Sequence, residues 1–257
     1  MQLMPGTPAL PEGGGRCVAH FRERATALEA AQGVRETALF AALEVPPPLE
    51  VPEQDWARAW RAHHRALRVG PRSWVHPPWE KPDAAPGEAL VCIDPGMAFG
   101  TGQHPTTALC LERVDELLAR RPGADLLDVG TGSGVIALLA KKLGARRVVG
   151  TENDPLALRI AAENEARNGI AGIEWVLQDP AQVPGEFQIV VANILLNTLT
   201  ELAPQIAAKV APGGRLVLSG LLALQGGLAE AAYEPLGLRP AGRRQREGWL
   251  RVELVRP

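Results

Sequence analysis

The clearest pattern of chemically useful residues is the run Asp128-Val129-Gly130-Thr131-Gly132-Ser133-Gly134, between a predicted strand and a predicted helix. Glycines here let the backbone turn sharply and let a ligand approach without Cβ atoms in the way. A dinucleotide fingerprint that starts at Gly130 needs glycine at position 135, where the chain has Val135. The acid Asp128 favours a ligand with a positive end over one with a pyrophosphate. S-adenosylmethionine carries a sulfonium and an ammonium, so the run predicts a binding loop for this cofactor.

A carboxylate ends the next predicted strand. Glu152 follows the glycine loop by about 20 residues, the spacing of an acid that accepts the ribose hydroxyls. The alternative is a solvent-exposed acid at a strand end. Asp154 precedes Pro155 and is predicted to cap the helix that Pro155 begins.

Two later polar residues also follow predicted strands. Asp179 comes after the strand that ends at Leu177, near the expected adenine, whose amino group needs an acceptor. An aspartate in the loop before Pro180 is the other interpretation. Asn193 ends the fourth strand and offers a carbonyl and an amide to cofactor and reacting group. An asparagine that only caps a helix is its alternative.

These residues require a sheet whose strands alternate with helices. Short apolar runs predict strands, and patterns with helical periodicity lie between them. The predicted strands are 90–93, 126–129, 147–150, 173–177, 187–192, 215–219 and 249–254, and the first predicted helices are 106–119, 135–143 and 155–168. This alternation is typical of βαβ units, so we expect an α/β fold with a mostly parallel sheet.

Composition excludes several classes of protein. The formal net charge of −2 is not that of a polycation that holds nucleic acid by charge alone. The three cysteines, Cys17, Cys92 and Cys110, have neither zinc-ligand nor disulfide spacing, so no metal site is expected. There is no apolar run of membrane-spanning length and no signal pattern, so we expect a cytoplasmic protein without membrane contact.

With these residues in place, the sequence resembles the PrmA family, bacterial methyltransferases that modify protein eleven of the large ribosomal subunit. The most specific match is the run Asp94-Pro-Gly-Met-Ala-Phe-Gly-Thr-Gly-Gln-His-Pro-Thr-Thr107. The glycine loop and 191–195 follow in family order, and the match reaches back to Asp55-Trp56 and Pro77-Pro78-Trp79-Glu80. The resemblance therefore covers about residues 53–257.

The resemblance implies an enzyme with a Rossmann-like, seven-stranded methyltransferase sheet. It implies that Thr107, Gly130, Glu152 and Asn193 contact S-adenosylmethionine, and that the loop from Phe99 to His104 closes over the methionine end of the cofactor. With the glycine loop and Asp179, the predicted cofactor residues are Phe99, Thr107, Asp128, Gly130, Gly132, Gly134, Glu152, Asp179 and Asn193. Asn193 is also the candidate for orienting the acceptor amine. His104 is the nearest candidate base, and a structural role in its loop is the alternative.

The implied organisation is a shortened α+β substrate-recognition region over 1–52, a linker helix and connector over 53–83, and a catalytic domain over 84–257. Two positions and the N-terminal domain depart from the family pattern. The ribose acid is usually aspartate and here is Glu152, Gln188 stands where an aspartate is common, and the N-terminal domain is usually longer and ferredoxin-like. Because that domain reads the substrate, its departure concerns the acceptor and leaves the cofactor assignment intact.

The resulting prediction is an N-methyltransferase that acts, as a monomer and without nucleic acid, on lysine and α-amino groups of ribosomal protein eleven of the large subunit. Arginines of the linker helix and just beyond, with His63 and His64, form a basic stretch that either faces an acidic partner or is a solvated helix face. Two alternatives stay open for the whole chain. The enzyme acts on another protein or a small amine, or the chain is a non-catalytic cofactor-binding protein.

Overall fold

The computed structural model describes residues 19, 23–36, 44–48, 64–95 and 100–257. Residues 1–60 and 61–257 form two compact units. In the first unit, helix α1 (Arg24–Glu36) is held to the following segment by Arg35, whose guanidinium donates two hydrogen bonds to the Val45 carbonyl at 3.2 and 2.7 Å. Most of the predicted linker helix lies outside the described residues. The helical spacing of Trp56 and Trp60 predicts that this helix runs over 53–67, and the predicted end at Leu67 is wrong, because Leu67 begins a strand.

The second unit starts with a small three-stranded sheet. Its strands are β1 (Leu67–Gly70), β2 (Ser73–His76) and β3 (Ala89–Cys92), and β2 pairs antiparallel with β1 and parallel with β3. The pairing of β2 with β3 joins residues on either side of residue 84, where the boundary of the catalytic domain was predicted. That boundary remains a prediction. The sheet is anchored to a buried carboxylate on the next helix: Asp115 accepts the Arg72 backbone N–H at 2.9 Å and the Ser73 hydroxyl at 2.7 Å.

The main sheet has seven strands, as predicted. In chain order these are β4 (Leu126–Val129), β5 (Val148–Thr151), β6 (Ile173–Val176), β7 (Phe187–Asn193), β8 (Val210–Leu222), β9 (Arg239–Arg246) and β10 (Trp249–Val255). Across the sheet the order is β6-β5-β4-β7-β8-β10-β9. The first five strands are parallel, and β10 runs antiparallel to both β8 and β9.

The membership of the main sheet differs from the predicted strand set at two points. The strand predicted over 90–93 is β3, which belongs to the small sheet. The seventh strand of the main sheet is instead β9, which no apolar pattern predicts because it is an exposed, arginine-rich edge strand. Charged side chains are common on such edges, since they discourage pairing with other chains.

Among the described residues, six helices accompany the two sheets. They are α2 (Pro105–Arg120), α3 (Val135–Lys142), α4 (Pro155–Arg167), α5 (Leu196–Glu201), α6 (Ala203–Ala207) and α7 (Gly226–Tyr233). Alternate residues of the central strands enter two separate apolar clusters, one with α2, α3 and the small sheet and the other with α5, α6 and α7. Both faces of the sheet are therefore covered, as a parallel sheet requires.

The connections define where a ligand binds. After β4 the chain continues to β5 and β6 on one side, and it then returns to β7, on the other side of β4, and continues to β8. In open α/β sheets a crevice forms where the strand order reverses, outside the carboxyl ends of the strands. Here the loops after β4 and β7 border that crevice. Within the described ranges, no helix is both long and apolar enough to cross a bilayer.

Candidate cofactor site

A cavity of about 310 Å³ lies in this crevice. Its volume falls at the lower end of the range for small-molecule sites, about 300–1,000 Å³. The polar and glycine residues of its lining are Gly100, Thr107, Gly130, Thr131, Gly132, Thr151, Glu152, Asn153, Gln178, Asp179, Asn193 and Thr198, and its apolar residues are Val129, Val135, Ile136, Pro180, Ile194 and Leu202. Six of the nine predicted cofactor residues line it. Phe99 lies outside the described residues.

The glycine loop is held closely against its surroundings. Gly130 has φ 68°, and a Cβ there would lie 2.5 Å from Cγ2 of Ile194 in the loop after β7. The backbone N–H groups of Gly130 and Thr131 both donate to the Thr151 carbonyl at 2.9 Å. A side chain at position 130 would therefore push apart the two loops that border the cavity.

Glu152 is fixed by backbone donors. One carboxylate oxygen accepts the Gly132 N–H at 3.0 Å, and the other accepts the N–H groups of Asn153 at 2.9 Å and Asp154 at 3.2 Å. The acid is thus tied to the glycine loop and held at the cavity wall. Asp154 caps α4 through a 2.8 Å bond from the Leu156 N–H, which confirms that prediction.

Asp128 lies beneath the loop and does not line the cavity. Its side chain is buried, and its Oδ2 accepts the Thr131 hydroxyl at 2.6 Å. Burial raises the pKa of Asp128 to about 7, opposed by the Thr131 hydroxyl and by the backbone N–H of Ala137 in the first turn of α3. Its Oδ1 is buried and has no hydrogen-bond partner of good geometry in the part of the chain that the structure describes. Asp128 therefore braces the loop from below and leaves one acceptor unused.

Asn193 of the main sheet and Thr107 of helix α2 are in contact. Asn193 is the last residue of β7, and Thr107 lies in the first turn of α2. The Asn193 amide donates to the Thr107 hydroxyl oxygen at 3.1 Å. This bond orients the amide, and within the described residues its buried Oδ1 has no hydrogen-bond partner. Asn193 lines the cavity, so a residue of the cavity wall holds a buried acceptor that a ligand N–H or cation would satisfy.

His104 has a structural position. It is the N-cap of α2, and its Nδ1 accepts the Thr106 backbone N–H at 3.4 Å, with the Thr106 hydroxyl at 2.7 Å. Its ring packs edge-on against Trp249 at 4.7 Å between centroids. Burial lowers the pKa of His104, opposed by Glu247. These contacts fit the structural alternative, and a catalytic role stays a prediction.

The two remaining predicted residues have different surroundings. Asp179 is exposed beside Gln178 and stands at the start of a short 3₁₀ turn without making a side-chain cap bond. Gly134 directly precedes α3 and does not line the cavity. A Cβ at position 134 would lie 2.9 Å from the Trp175 ring and 3.0 Å from Ala161 Cβ, so close packing explains this glycine without a ligand contact.

Several supporting residues were not predicted. The Ser133 hydroxyl donates to the Gly100 carbonyl at 2.7 Å and so ties the glycine loop to the segment before α2. Asn164 on α4 donates to the Ser133 carbonyl at 3.0 Å. Gln188, the departure from the family pattern, accepts the Asp125 N–H at 2.8 Å and joins β7 to the start of β4. Ser133 could have been predicted from its position in the glycine motif. Asn164 and Gln188 could not, because their hydrogen-bond partners are distant in sequence.

The electrostatics of the cavity favour a cationic ligand. Among the described residues its lining includes two acids, Glu152 and Asp179, and no lysine, arginine or histidine. A phosphate group would find no basic side chain there, whereas a sulfonium or ammonium would find carboxylate and amide oxygens. In the described part of the chain, no group of three or more His, Cys, Asp or Glu side chains could hold a metal ion.

Similar proteins indicate the family to which this chain belongs. The model of the family described as "Ribosomal protein L11 methyltransferase (PrmA)" matches residues 9–257, so the match extends further toward the N-terminus than the motifs did. A relative of that name from Myxococcus xanthus is 46% identical over 254 residues, 99% of this chain and 86% of the relative. One from Azotobacter vinelandii is 47% identical over 80% of this chain and 70% of the relative. The crystal structure of ribosomal protein L11 methylase from Lactobacillus delbrueckii subsp. bulgaricus has a TM-score of 0.67 and 31% identity, and the match covers 75% of this chain and 99% of that one.

Proposed function

Because this chain belongs to the PrmA family, an S-adenosylmethionine-dependent class of protein methyltransferases, we propose that it methylates lysine and α-amino groups of ribosomal protein L11. The observation that carries the proposal is the acid-lined cavity between the loops after β4 and β7, with an unsatisfied amide oxygen in its wall. The substrate follows from the names of the relatives. A ribosomal protein as acceptor would place the enzyme in the cytoplasm. Action as a monomer and without nucleic acid stays a prediction.

The cavity residues fit S-adenosylmethionine. Gly130 and Gly132 keep Cβ atoms out of the approach to the loop, and Glu152 offers a fixed carboxylate for the ribose hydroxyls. Asp179 lies at the carboxyl end of β6, where an acceptor for the adenine amino group is expected. Thr107 and Asn193 form the wall on the α2 side. We propose that these residues hold the cofactor.

The cofactor, when bound, supplies an electrophilic methyl group on its sulfonium. The remaining work of the protein is to present an uncharged amine in line with that methyl and to exclude water. A lysine amine with a pKa of about 10.4 costs about 4.6 kcal/mol to deprotonate at pH 7. Transfer into a partly apolar cavity disfavours the ammonium and so reduces this cost, whereas the carboxylates of Glu152 and Asp179 in the lining oppose this effect.

Asn193 is placed to orient the amine. One N–H of its Nδ2 donates to Thr107, which fixes the orientation of the amide, and its Oδ1, unpaired among the described residues, would accept an N–H of the amine. An amine that donates to this oxygen has its lone pair directed elsewhere, toward the methyl group in our proposal. Methyl transfer to the amine in this way requires no covalent intermediate with the protein.

Mass spectrometry of purified, unmethylated ribosomal protein L11 tests the proposal. After incubation with enzyme and S-adenosylmethionine, we expect added mass in steps of about 14 Da, the mass of one methyl group, on lysine or the N-terminus. Calorimetry on the same enzyme preparation shows whether the cofactor binds. Intact cofactor binding with no added mass would contradict L11 as the acceptor and favour the same chemistry on another amine.

A further inference from the structure

We propose that four exposed leucines beside the cavity, Leu195, Leu222, Leu224 and Leu228, form the surface on which the polypeptide that carries the acceptor lysine docks through apolar residues next to that lysine. This leucine rim deepens the proposed function and rests on it, because it assigns a contact to the protein substrate. Leu195 is 71%, Leu222 48%, Leu224 96% and Leu228 63% exposed. Exposed apolar groups gathered at one place indicate an interaction site more often than isolated ones do.

The leucine rim is continuous with the catalytic cavity. Asn193, Ile194 and Thr198 line the cavity, and Leu195 stands in the same turn with its side chain exposed to solvent. Gly220 of β8 lies directly against this turn: its φ is 82°, and a Cβ there would lie 2.4 Å from the Ile194 carbonyl oxygen. The turn after β7 and the end of β8, where Leu222 follows, are therefore packed together.

The part of the rim that follows β8 is well anchored. Leu222 pairs with Trp249 of β10, the residue whose ring packs on His104. The Leu222 N–H donates to the Gln225 side chain at 2.8 Å. Gly226 at the start of α7 lies so close to β10 that a Cβ would approach Leu250 Cδ2 to 2.5 Å. The leucines are thus exposed on a packed support.

The charges of the rim segments indicate what kind of polypeptide docks on the leucine rim. The segments that form the rim, 188–208 and 216–238, contain no lysine or arginine, although the chain has 27 of them among 257 residues. Their charged residues are Glu201, Glu230 and Glu234. Arg243, whose guanidinium lies near the start of α7, is engaged by Glu230 at 2.7 Å. The rim segments are thus apolar and carry only acidic charges, and the neighbouring Arg243 is paired with Glu230, so this surface suits a segment that brings a cationic lysine with apolar neighbours.

The test uses the full chain with Leu224→Gln and Leu228→Gln combined, since both side chains are largely exposed and the variant should fold. Leu177→Gln, which changes a leucine 48% exposed at the far side of the sheet, is the matched control. We expect the double variant to bind S-adenosylmethionine as the wild type does and to raise KM for ribosomal protein L11 about tenfold, typical for loss of apolar interface anchors. The Leu177→Gln variant should keep the wild-type KM.

A second arm uses synthetic lysine peptides flanked by leucines or by serines. We expect wild type to methylate the leucine-flanked peptide with the higher kcat/KM, and the double variant to lose that preference. Unchanged KM for L11 in the double variant would overturn the leucine rim and leave the proposed function standing. A leucine-flank preference without L11 methylation would overturn L11 as the substrate and support the rim. Methylation of neither L11 nor any peptide would overturn both.

Discussion

Replacing Glu152 by alanine should weaken cofactor binding, and it also leaves three backbone N–H groups of the two loops without their acceptor. The carboxylate accepts three backbone N–H groups, one from Gly132 and two from residues 153 and 154. It is thereby held in one orientation, and the oxygen that accepts only the Gly132 N–H keeps acceptor capacity for a ribose hydroxyl. Loss of hydrogen bonds to a fixed carboxylate costs about 1–3 kcal/mol, which corresponds to a Kd for S-adenosylmethionine about 5- to 150-fold higher.

Asp154→Ala is the control for this experiment, because Asp154 is an acid of the same loop that caps α4 and does not line the cavity. We expect it to lose about 1 kcal/mol of stability through the missing cap while keeping the wild-type Kd. Glu152→Gln should fall between alanine and wild type, since an amide has one accepting oxygen where the carboxylate has two. Calorimetric titration gives all three affinities. Equal Kd values for Glu152→Ala and Asp154→Ala would refute the assignment of Glu152 to the ribose.

Three further changes test other parts of the site. Gly220→Ala places a Cβ against the Ile194 carbonyl at positive φ, so we expect a loss of more than about 1 kcal/mol in urea unfolding and slower methyl transfer; wild-type stability would contradict the close approach. Asn193→Ala removes the oriented acceptor and should lower the single-turnover rate about 100-fold while changing cofactor affinity less; an unchanged rate would exclude Asn193 from orienting the amine. The pKa of Asp128 is about 7 in the folded protein, above the ordinary 3.8, so the folded state holds its proton to higher pH. The stability of wild type relative to Asp128→Asn should therefore fall by a few kcal/mol between about pH 4 and 7; parallel pH profiles of the two proteins in urea unfolding would argue against the raised pKa.

The local sequence was sufficient to predict much of this protein. Spacing within one βαβ unit placed the glycine loop after β4 and Glu152 after β5, because the loop and the strand ends are close in sequence and their geometry is largely set by the chain itself. The cap at Asp154 was predictable for the same reason, since its partner is two residues away. The motifs predicted the family, and the matching family model and relatives then established it.

Tertiary structure alone decided the features that depend on distant residues or on exposure. β9 has no apolar alternation, so only its pairing with β10 makes it a strand, and β3 joins the small sheet because β2 lies beside it. The bond between Asn193 and Thr107 joins residues far apart in sequence, and it is this bond that leaves the asparagine oxygen available. The sequence by itself determined which residue types stand at strand ends. Packing determined which of them meet, because a side chain's partner and its access to solvent are properties of the assembled sheet and helices.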